Sequence, residues 1–316
     1  MSKKQISVLA PATTANLGPG FDCLGMALDI WNRLDVFLDD AGQVSVTDNT
    51  PLIEVVGEGS GELSTGRDNL VHQAMEFLFH EAGGKMPAVR LTCHNEIPLM
   101  RGLGSSAAAI AGGLLAANAL CSGAFSSKEL LEMAVTIEGH PDNVAAAVLG
   151  GLQLVVSEGN HLLTAPINVP PEIHGVLFVP ALRIATSDAR EVLPQTVSRS
   201  DAIYNMSRAS LLVAGMAANH PEYFREATQD RLHQPYRQPL FPAMKLLFQA
   251  ALDAGALGVF LSGSGSTVLA LTNGREMTVA YEMAEAAKQA GVEGQVKITQ
   301  PSLQGAHVIE GPATDT

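Results

Sequence analysis

The sequence has few cysteines. The three among its 316 residues are Cys23, Cys93 and Cys121, and no two of them form a C-x-x-C pair. An odd number of widely spaced cysteines indicates neither a disulfide framework nor a zinc site. We therefore expect a protein of a reducing compartment, the cytoplasm.

Positive charge is also scarce. Against 32 Asp and Glu residues there are 19 Lys and Arg residues, which gives a formal net charge of −13. Such a surface repels the backbone of a nucleic acid instead of neutralising it, so no nucleic acid is expected as a partner. The same negative charge repels nucleotides. A site that binds phosphates therefore needs local groups that attract anions in spite of the net charge of the protein.

Long hydrophobic runs are absent as well. The run from Ile6 to Ala10 is too short for the core of a signal peptide. The longest apolar stretches, 107–120 and 145–156, contain Gly, Asn or Gln and fall short of a membrane-spanning length. We expect no membrane association, and both stretches are predicted to be buried elements.

The remaining composition is that of a globular protein. Apolar residues make up 47% of the chain and charged residues 16%, and a length of 316 residues favours two domains over one. Aromatic residues make up only 5%, so small side chains are expected to build the core. A cluster of Pro166, Pro170 and Pro171 marks the candidate domain boundary.

Local patterns predict a mixed α and β chain. Strand-like segments at 5–9 and 33–38 flank a Gly, Pro and Asn-rich loop at 13–20, and 40–50 reads as polar turn and edge strand. Asp68-Asn69 is predicted to cap a helix that runs to Glu81. Further helices are predicted near 107–119, 128–138, 142–148, 187–193, 201–218, 242–254 and 277–290, and further strands near 89–93, 152–156, 175–179, 258–261, 267–271 and 294–299.

The strongest local signal is Gly102-Leu-Gly-Ser-Ser106 directly before a helix. Free N–H groups at a helix start attract an anion, and glycines let the backbone approach a phosphate closely. The segment is not a Walker A loop, because no lysine follows the glycines. The alternative is a tight turn in which Ser105 or Ser106 is an ordinary N-cap.

Three weaker signals lie elsewhere. The glycine-rich stretch 262–266 can be a plain hairpin turn. The polar segment 136–143 contains Glu138, which with a serine hydroxyl is a donor set that Mg²⁺ uses beside phosphates, and His140, which is more typical of a structural histidine than of a metal ligand. The segments 186–190 and 230–237 contain arginines, which suit carboxylate or phosphate but are also common on solvated surfaces.

Together these segments resemble the GHMP kinase superfamily, named for galactokinase, homoserine kinase, mevalonate kinase and phosphomevalonate kinase. Residues 98–108 are similar to its phosphate-loop motif and residues 261–267 to its C-terminal glycine motif. Four further segments resemble homoserine kinases: PATTANLGPGFDCLG at 11–25, EGHPDN at 138–143, residues 186–194 and residues 230–237. The matches run in family order over nearly the whole chain.

The resemblance implies an α+β protein with the two-domain GHMP kinase fold. Residues 1–165 would form an N-terminal ATP-binding domain like domain 2 of ribosomal protein S5. Residues 166–309 would form a C-terminal domain with ferredoxin-like αβ layering, and residues 310–316 a flexible tail. ATP and substrate would meet between the two domains.

The resemblance also implies phosphorylation of the side-chain hydroxyl of L-homoserine to O-phospho-L-homoserine in threonine biosynthesis, with ATP as phosphoryl donor and Mg²⁺ as cofactor. Ser106 and Glu138 would hold the metal ion. The implied ATP-binding residues are Pro98, Arg101, Gly102, Leu103, Gly104, Ser105, Ser106, Ala107, Ala108, Gly263 and Gly265. The implied substrate-binding residues are Asn16, Asp22, His140, Asn143, Thr186, Arg190 and Arg237, and the implied catalytic residues are Asn143, Asp142 and Glu138.

Within these sets, Arg190 and Arg237 would clamp the substrate carboxylate, while Asn16 and Asp22 would accept from its ammonium group. Asn143 would orient the hydroxyl. Asp142 is either a general base or electrostatic support, because proton loss comes late in a loose phosphoryl-transfer transition state. Glu132 is an alternative to Glu138, since some homoserine kinases place the magnesium glutamate further upstream.

Two other classes of function fit these residues less well. A GHMP kinase for mevalonate or a sugar would have no use for acceptors of an ammonium group. A non-catalytic sensor would be expected to lose the phosphate loop or Glu138, and an RNA-binding role conflicts with the net charge. The sequence is compatible with a homodimer without fixing the oligomeric state, and Asn69 is a candidate on the adenine side.

Overall fold

The structure is a computed structural model that describes residues 5–38, 53–159 and 161–309. It has the predicted α+β architecture, with two β-sheets and helices packed on each. The predicted polar turn and edge strand at 40–50 and the predicted flexible tail at 310–316 lie outside the described residues.

The first sheet is seven-stranded. Its strands are β1 (Gln5–Asn16), β2 (Gly20–Leu38), β3 (Ile53–Gly57), β4 (Val89–Asn95), β5 (Leu152–Glu158), β6 (His161–Ile167) and β11 (His307–Ile309). The order is β11-β1-β2-β4-β3, and β5 extends the sheet from the first part of β2 and pairs with β6. The pair β3 and β4 is parallel, and the other pairs are antiparallel.

Four helices cover this sheet: α1 (Leu70–Glu81), α2 (Ser105–Leu120), α3 (Ser127–Glu138) and α4 (Pro141–Leu149). Of the two residues predicted to cap α1, Asn69 is the N-cap, and it accepts from the Val71 amide at 2.9 Å. Small side chains let the helices approach closely. A Cβ on Gly113 of α2 would lie 2.7 Å from the Val71 carbonyl oxygen of α1.

The second sheet is antiparallel, in the order β10-β7-β9-β8, with β7 (His174–Pro180), β8 (Gly258–Leu261), β9 (Val268–Thr272) and β10 (Gly294–Thr299). Its helices are α5 (Thr186–Glu191), α6 (Arg199–Ala217), α7 (Phe224–Ala227), α8 (Gln234–Arg237), α9 (Met244–Asp253) and α10 (Glu276–Gln289). Within the described ranges, no helix is long and apolar enough to span a membrane.

The structure differs from the sequence prediction in several strands. Most of the predicted loop at 13–20 is strand, because β1 continues to Asn16 by pairing with β2. Strand β11 was not predicted, and it pairs with β1 although the sequence division assigns it to the second domain. The predicted boundary at 165/166 falls inside β6. A three-residue strand has too little periodicity to be recognised without its partner.

Candidate active site

A cavity of about 570 Å³ lies where the two halves of the molecule meet. Most of the residues that the sequence singles out line it: Asn16, Asp22, Pro98, Arg101, Gly102, Leu103, Gly104, Ser105, Ser106, Glu138, His140, Asp142, Asn143, Thr186, Arg190, Arg237 and Gly263. Ala107 and Ala108 are buried in the first turn of α2, and neither these two nor Gly265 lines the cavity. The fold thus brings six separate sequence segments to one site.

The start of helix α2 faces this cavity. Its N-cap is Gly104, with a φ of +67°, and no side chain caps the helix. Neither Ser105 nor Ser106 serves as the N-cap, and the Ser106 hydroxyl donates to Glu138 Oε1 instead. Backbone amides without a side-chain acceptor, together with the helix dipole, make this end of the cavity suitable for an anion.

Glycine is required at two positions of this turn. A Cβ on Gly102 would lie 2.0 Å from the Ser262 carbonyl oxygen, and one on Gly104 would lie 1.9 Å from Thr13 Oγ1. Both glycines also have a positive φ, which L-residues with a side chain rarely adopt. The turn is therefore packed tightly between the first strand and the second glycine-rich segment.

That second glycine-rich segment, 262–266, joins β8 to β9 and braces the first. The Ser262 hydroxyl lies within hydrogen-bond distance of Thr14 Oγ1 at 2.8 Å and of the Gly102 carbonyl oxygen at 2.6 Å. The Gly263 amide donates to the Ala15 carbonyl at 3.1 Å. The backbone is a hairpin turn between β8 and β9, as the alternative interpretation predicts. The segment also holds the turn before α2 through the Ser262 contact with Gly102.

Arg101 lines the cavity but is bonded to the protein. Its Nε donates to the Pro180 carbonyl at 2.7 Å, Nη2 to that of Ala181 at 3.3 Å and Nη1 to that of Leu99 at 3.4 Å. These contacts tie the turn before α2 to the end of β7. Its role in ATP binding stays a prediction.

Glu138, the last residue of α3, lies beside the start of α2. Its Oε1 is 2.5 Å from Ser106 Oγ, and its side chain is 10% exposed. Glu132 does not line the cavity, and its carboxylate lies 3.9 Å from the Lys128 ammonium on the exposed face of α3. The described residues contain no group of three or more acidic, His or Cys side chains suited to a metal ion. Two oxygens at an anion site fit Mg²⁺, which takes phosphate and water oxygens as its remaining ligands.

His140 lies between two carboxylates. Its Nε2 is 3.9 Å from Glu138 Oε1 and its Nδ1 is 3.5 Å from Asp142 Oδ1. The Asp142 carboxylate, with a smaller effect from Glu138, raises the pKa of His140 above its ordinary value against the opposing effect of burial. The imidazole therefore lies between the two carboxylates in the lining of the cavity.

Asn143 is oriented from two sides. Its Oδ1 accepts from the Thr13 hydroxyl at 2.8 Å, and its backbone amide donates to Asp142 Oδ1 at 2.8 Å. The side-chain amide nitrogen has no hydrogen-bond partner among the described residues. It is thus a free donor on a side chain that lines the cavity.

Asp22, Asn16 and Arg190 also line the cavity, and Asp22 bonds to the other two. Arg190 donates to both oxygens of Asp22, at 2.8 and 3.0 Å, and this pairing raises the pKa of the guanidinium. Asn16 accepts from the Asp22 amide at 3.0 Å and donates to the Gly263 carbonyl at 3.0 Å. The sequence predicts that Asp22 binds the ammonium group of a ligand and that Arg190 binds its carboxylate. In the structure these two side chains are paired with each other.

Arg237 has only neutral partners. Its Nε donates to the Ala189 carbonyl at 3.0 Å, and Nη1 donates to the Gly263 carbonyl at 2.9 Å and to His233 Nδ1 at 3.1 Å. The residue is 3% exposed, and its guanidinium lies over the Phe21 ring at 5.4 Å. Burial lowers the pKa of Arg237 to about 10, with Arg190 as the next cause.

The structure adds residues to the site that the sequence did not single out. Ser264 lines the cavity, and its Oγ is 3.5 Å from Thr186 Oγ1. Arg183 and Glu62 form a bidentate ion pair at the cavity rim. Thr13 lies in the 11–25 motif, but its contact with Asn143 spans 130 residues and leaves no local signal.

Models of two domain families match the chain. The model described as GHMP kinases N terminal domain matches residues 69–151, and the model described as GHMP kinases C terminal matches residues 207–293. Together they account for more than half of the chain, and the first includes the turn before α2 and the 138–143 segment.

The chain is also similar to named proteins over nearly its full length. It is 42% identical to a homoserine kinase of Moorella thermoacetica, with 96% of this chain and 99% of that one covered, and 42% identical to a homoserine kinase of Synechocystis, with 96% and 98% covered. A crystal structure of homoserine kinase from Cytophaga hutchinsonii superposes with a TM-score of 0.87 at 30% identity, covering 98% of each chain. A mevalonate kinase structure from L. major, 14% identical with a TM-score of 0.67, shares the fold.

Proposed function

The chain belongs to the homoserine kinase family of the GHMP kinases, and we propose that it transfers the γ-phosphoryl group of ATP to the side-chain hydroxyl of L-homoserine. The product is O-phospho-L-homoserine, on the route to threonine. One observation carries the proposal: a single cavity joins an uncapped helix start beside the Ser106 and Glu138 pair to a buried guanidinium with only neutral partners.

The helix start is assigned to the phosphates. Phosphoryl transfer asks the protein mainly to align the reactants and to neutralise charge on the γ-phosphoryl oxygens. Amides at the first turn of α2 provide donors without a lysine side chain, and the described residues that line the cavity include no lysine. The tight packing of Gly102 and Gly104 fixes these donors before ATP arrives.

Ser106 and Glu138 are assigned to Mg²⁺. Their oxygens are close enough to be ligands of one ion. They lie beside the helix start, and therefore next to any phosphates that the helix start would hold. Bound there, the ion would supply charge neutralisation and alignment of the phosphates.

Asn143 is assigned to the acceptor hydroxyl. Thr13 occupies its Oδ1, so the side-chain amide nitrogen is the atom left to bind substrate. Donation from this nitrogen to the hydroxyl oxygen would keep that oxygen directed at the γ-phosphorus. Asp142 has a side chain that is 4% exposed and accepts from the Asn143 amide. That bond supports a role in holding the Asn143 backbone and in local electrostatics.

The charged end of homoserine is assigned to Asp22, Arg190 and Arg237. Each oxygen of Asp22 has a second lone pair, so the carboxylate can accept from the ammonium group while Arg190 stays paired. Arg237 has Nη2 without a partner among the described residues, and a carboxylate there would complete its charge pairing. Asn16 then acts by holding the Asp22 backbone.

An assay of ADP release tests the proposal. Homoserine, mevalonate, shikimate and galactose are compared at saturating Mg-ATP, and we expect ADP release with homoserine alone. Turnover of mevalonate with none of homoserine would overturn the proposed substrate while leaving the kinase fold intact.

A further inference from the structure

His233 is a fully buried histidine beside the buried arginine of the site. Its side chain is 0% exposed, its ring centroid is 5.3 Å from that of Phe21, and it precedes the short helix that ends at Arg237. Its Nε2 lies 2.7 Å from the Gly18 carbonyl oxygen and its Nδ1 lies 3.1 Å from Arg237 Nη1. The imidazole thus connects the turn between β1 and β2 to Arg237.

These two partners fix the tautomer of His233. A carbonyl oxygen only accepts, so Nε2 must carry the hydrogen that bonds to Gly18. A guanidinium only donates, so Nδ1 must be the unprotonated acceptor for Arg237. Protonation of Nδ1 would remove that acceptor and place two cations in contact.

The groups around the imidazole keep it neutral. Burial is the largest cause that lowers the pKa of His233, to about 4, and the Arg237 charge acts in the same direction. The carboxylates of Asp230 and Asp22 act in the opposite direction but do not compensate. Asp230 Oδ2 lies 3.6 Å from Nε2, and it already accepts from the backbone amides of His233 and Gln234.

The anchoring carbonyl is itself rigid. Gly18 has a φ of +86°, and a Cβ there would lie 2.1 Å from the Thr228 carbonyl oxygen. Asp230 holds the His233 backbone through its amide at 3.0 Å. The imidazole is therefore held at the β1–β2 turn by Gly18 and in turn holds the guanidinium of Arg237.

We propose that His233 is a positioning residue for Arg237: as a neutral acceptor it sets the plane of the guanidinium toward the cavity without neutralising its charge. A carboxylate in the same place would pair with the guanidinium and compete with the substrate carboxylate. The inference rests on the proposed function, because it assigns His233 to substrate binding through Arg237.

Two substitutions separate the two hydrogen bonds of His233. In His233→Asn, the side-chain oxygen can take the place of Nδ1 and accept from Arg237, while the donor to Gly18 is lost. In His233→Gln, the amide reaches the place of Nε2 and can donate to Gly18, while the acceptor for Arg237 is lost. His72→Asn is the matched control, since His72 is a buried histidine of α1 that does not line the cavity.

We expect His233→Gln to raise the KM for homoserine about tenfold, the low end for a hydrogen bond to a charged group, with the KM for ATP unchanged. His233→Asn should raise the KM for homoserine much less, and His72→Asn should leave it unchanged. Equal changes in the two His233 variants, no change in either, or a joint rise of both KM values would overturn the inference. Homoserine turnover by the wild type and a raised KM in Arg237→Ala would still support the proposed function.

Nitrogen NMR of the wild type tests the inference when a variant folds poorly. The His233 ring, identified by its proximity to Phe21, should show a protonated Nε2 and an unprotonated Nδ1 from pH 8 to pH 5.5, and the Nδ1 signal should shift when homoserine is added. A ring that titrates near its ordinary pKa, a proton on Nδ1, or an Nδ1 signal unmoved by homoserine would overturn the inference.

Discussion

Arg190 and Arg237 lie at the same end of the cavity but differ in what already neutralises them. Arg190 is in a bidentate pair with Asp22, whereas Arg237 bonds to two carbonyls and a neutral imidazole. A buried cation without a counter-charge gains most from an anionic ligand. Arg237 is therefore the residue on which carboxylate binding is expected to depend most.

Replacement of Arg237 by Ala should raise the KM for homoserine about 10- to 100-fold, the value of one hydrogen bond to a charged group. The KM for ATP should change far less, because the phosphates are assigned to the start of α2. Steady-state kinetics with each substrate varied in turn measures both. Arg231→Ala, in the same segment but with a side chain 51% exposed, is the control, and equal effects on both KM values in Arg237→Ala would refute the carboxylate role.

Glu138 and Glu132 give a matched pair for the metal assignment. Glu138→Gln should lower kcat by about two orders of magnitude or more and keep the affinity for homoserine, since loss of a metal ligand removes several kcal/mol of transition-state stabilisation. Glu132→Gln should leave kcat unchanged. Steady-state kinetics measures kcat, and calorimetry measures the affinity for homoserine. A Glu138→Gln variant with full turnover would show that Glu138 does not hold the metal ion.

At this scale the sequence predicted the residues that sit in motifs and missed those that act across the chain. Glu138, Arg190 and Arg237, which line the cavity, were predicted as site residues because their segments resemble a family. His233 lies within one of those segments, yet its contact with Gly18 spans 215 residues and no local pattern indicates it. Arg183 and Glu62 pair across 121 residues and were missed for the same reason.

Helix α2 begins at a turn that depends on glycine. Two glycines with positive φ precede it, and each has no room for a Cβ. The sequence predicted the helix and its glycine turn, since both are local. It left open whether a serine caps the helix, because that depends on where Ser106 and Glu138 lie in space.

Gly104→Ala tests whether close packing, and not only backbone conformation, matters at this turn. An alanine at positive φ costs about 1–2 kcal/mol, and its Cβ would also displace Thr13, which lies 1.9 Å from that position. We expect a lower free energy of unfolding and a raised KM for ATP. Gly123→Ala is the control, with a φ of +74° and no atom within 4 Å, so it should lose stability alone. A raised KM for ATP in both variants, or in neither, would contradict the packing argument.

For the whole molecule, buried neutral histidines couple stability to pH. Burial lowers the pKa values of His233 and His72 below those of the unfolded chain, so the unfolded state binds protons first as the pH falls. Their contribution to stability is thus present above about pH 6.5 and is lost as the pH falls toward the folded pKa. His140, whose pKa is raised, contributes in the opposite direction, with stability that is lost as the pH rises.

The free energy of unfolding should therefore decline between pH 6.5 and pH 4 with a contribution from His233 of up to about 1.4 kcal/mol per pH unit. Urea denaturation at several pH values measures the slope. His233→Asn should have a shallower slope than the wild type, whereas His80→Asn, with a side chain 86% exposed, should match the wild type. An unchanged slope in His233→Asn would mean that His233 does not stay neutral in the folded state.

The pairing of β11 with β1 has a consequence for the order of the polypeptide. Ser7 and Ile309 face each other across the two strands, so a linker of a few residues can join these neighbouring strands. New ends can then be opened at the exposed glycine turn at 123, between α2 and α3. Such a circularly permuted chain should form the same two sheets and the same cavity. The architecture depends on which strands pair, and not on the order of the strands along the chain.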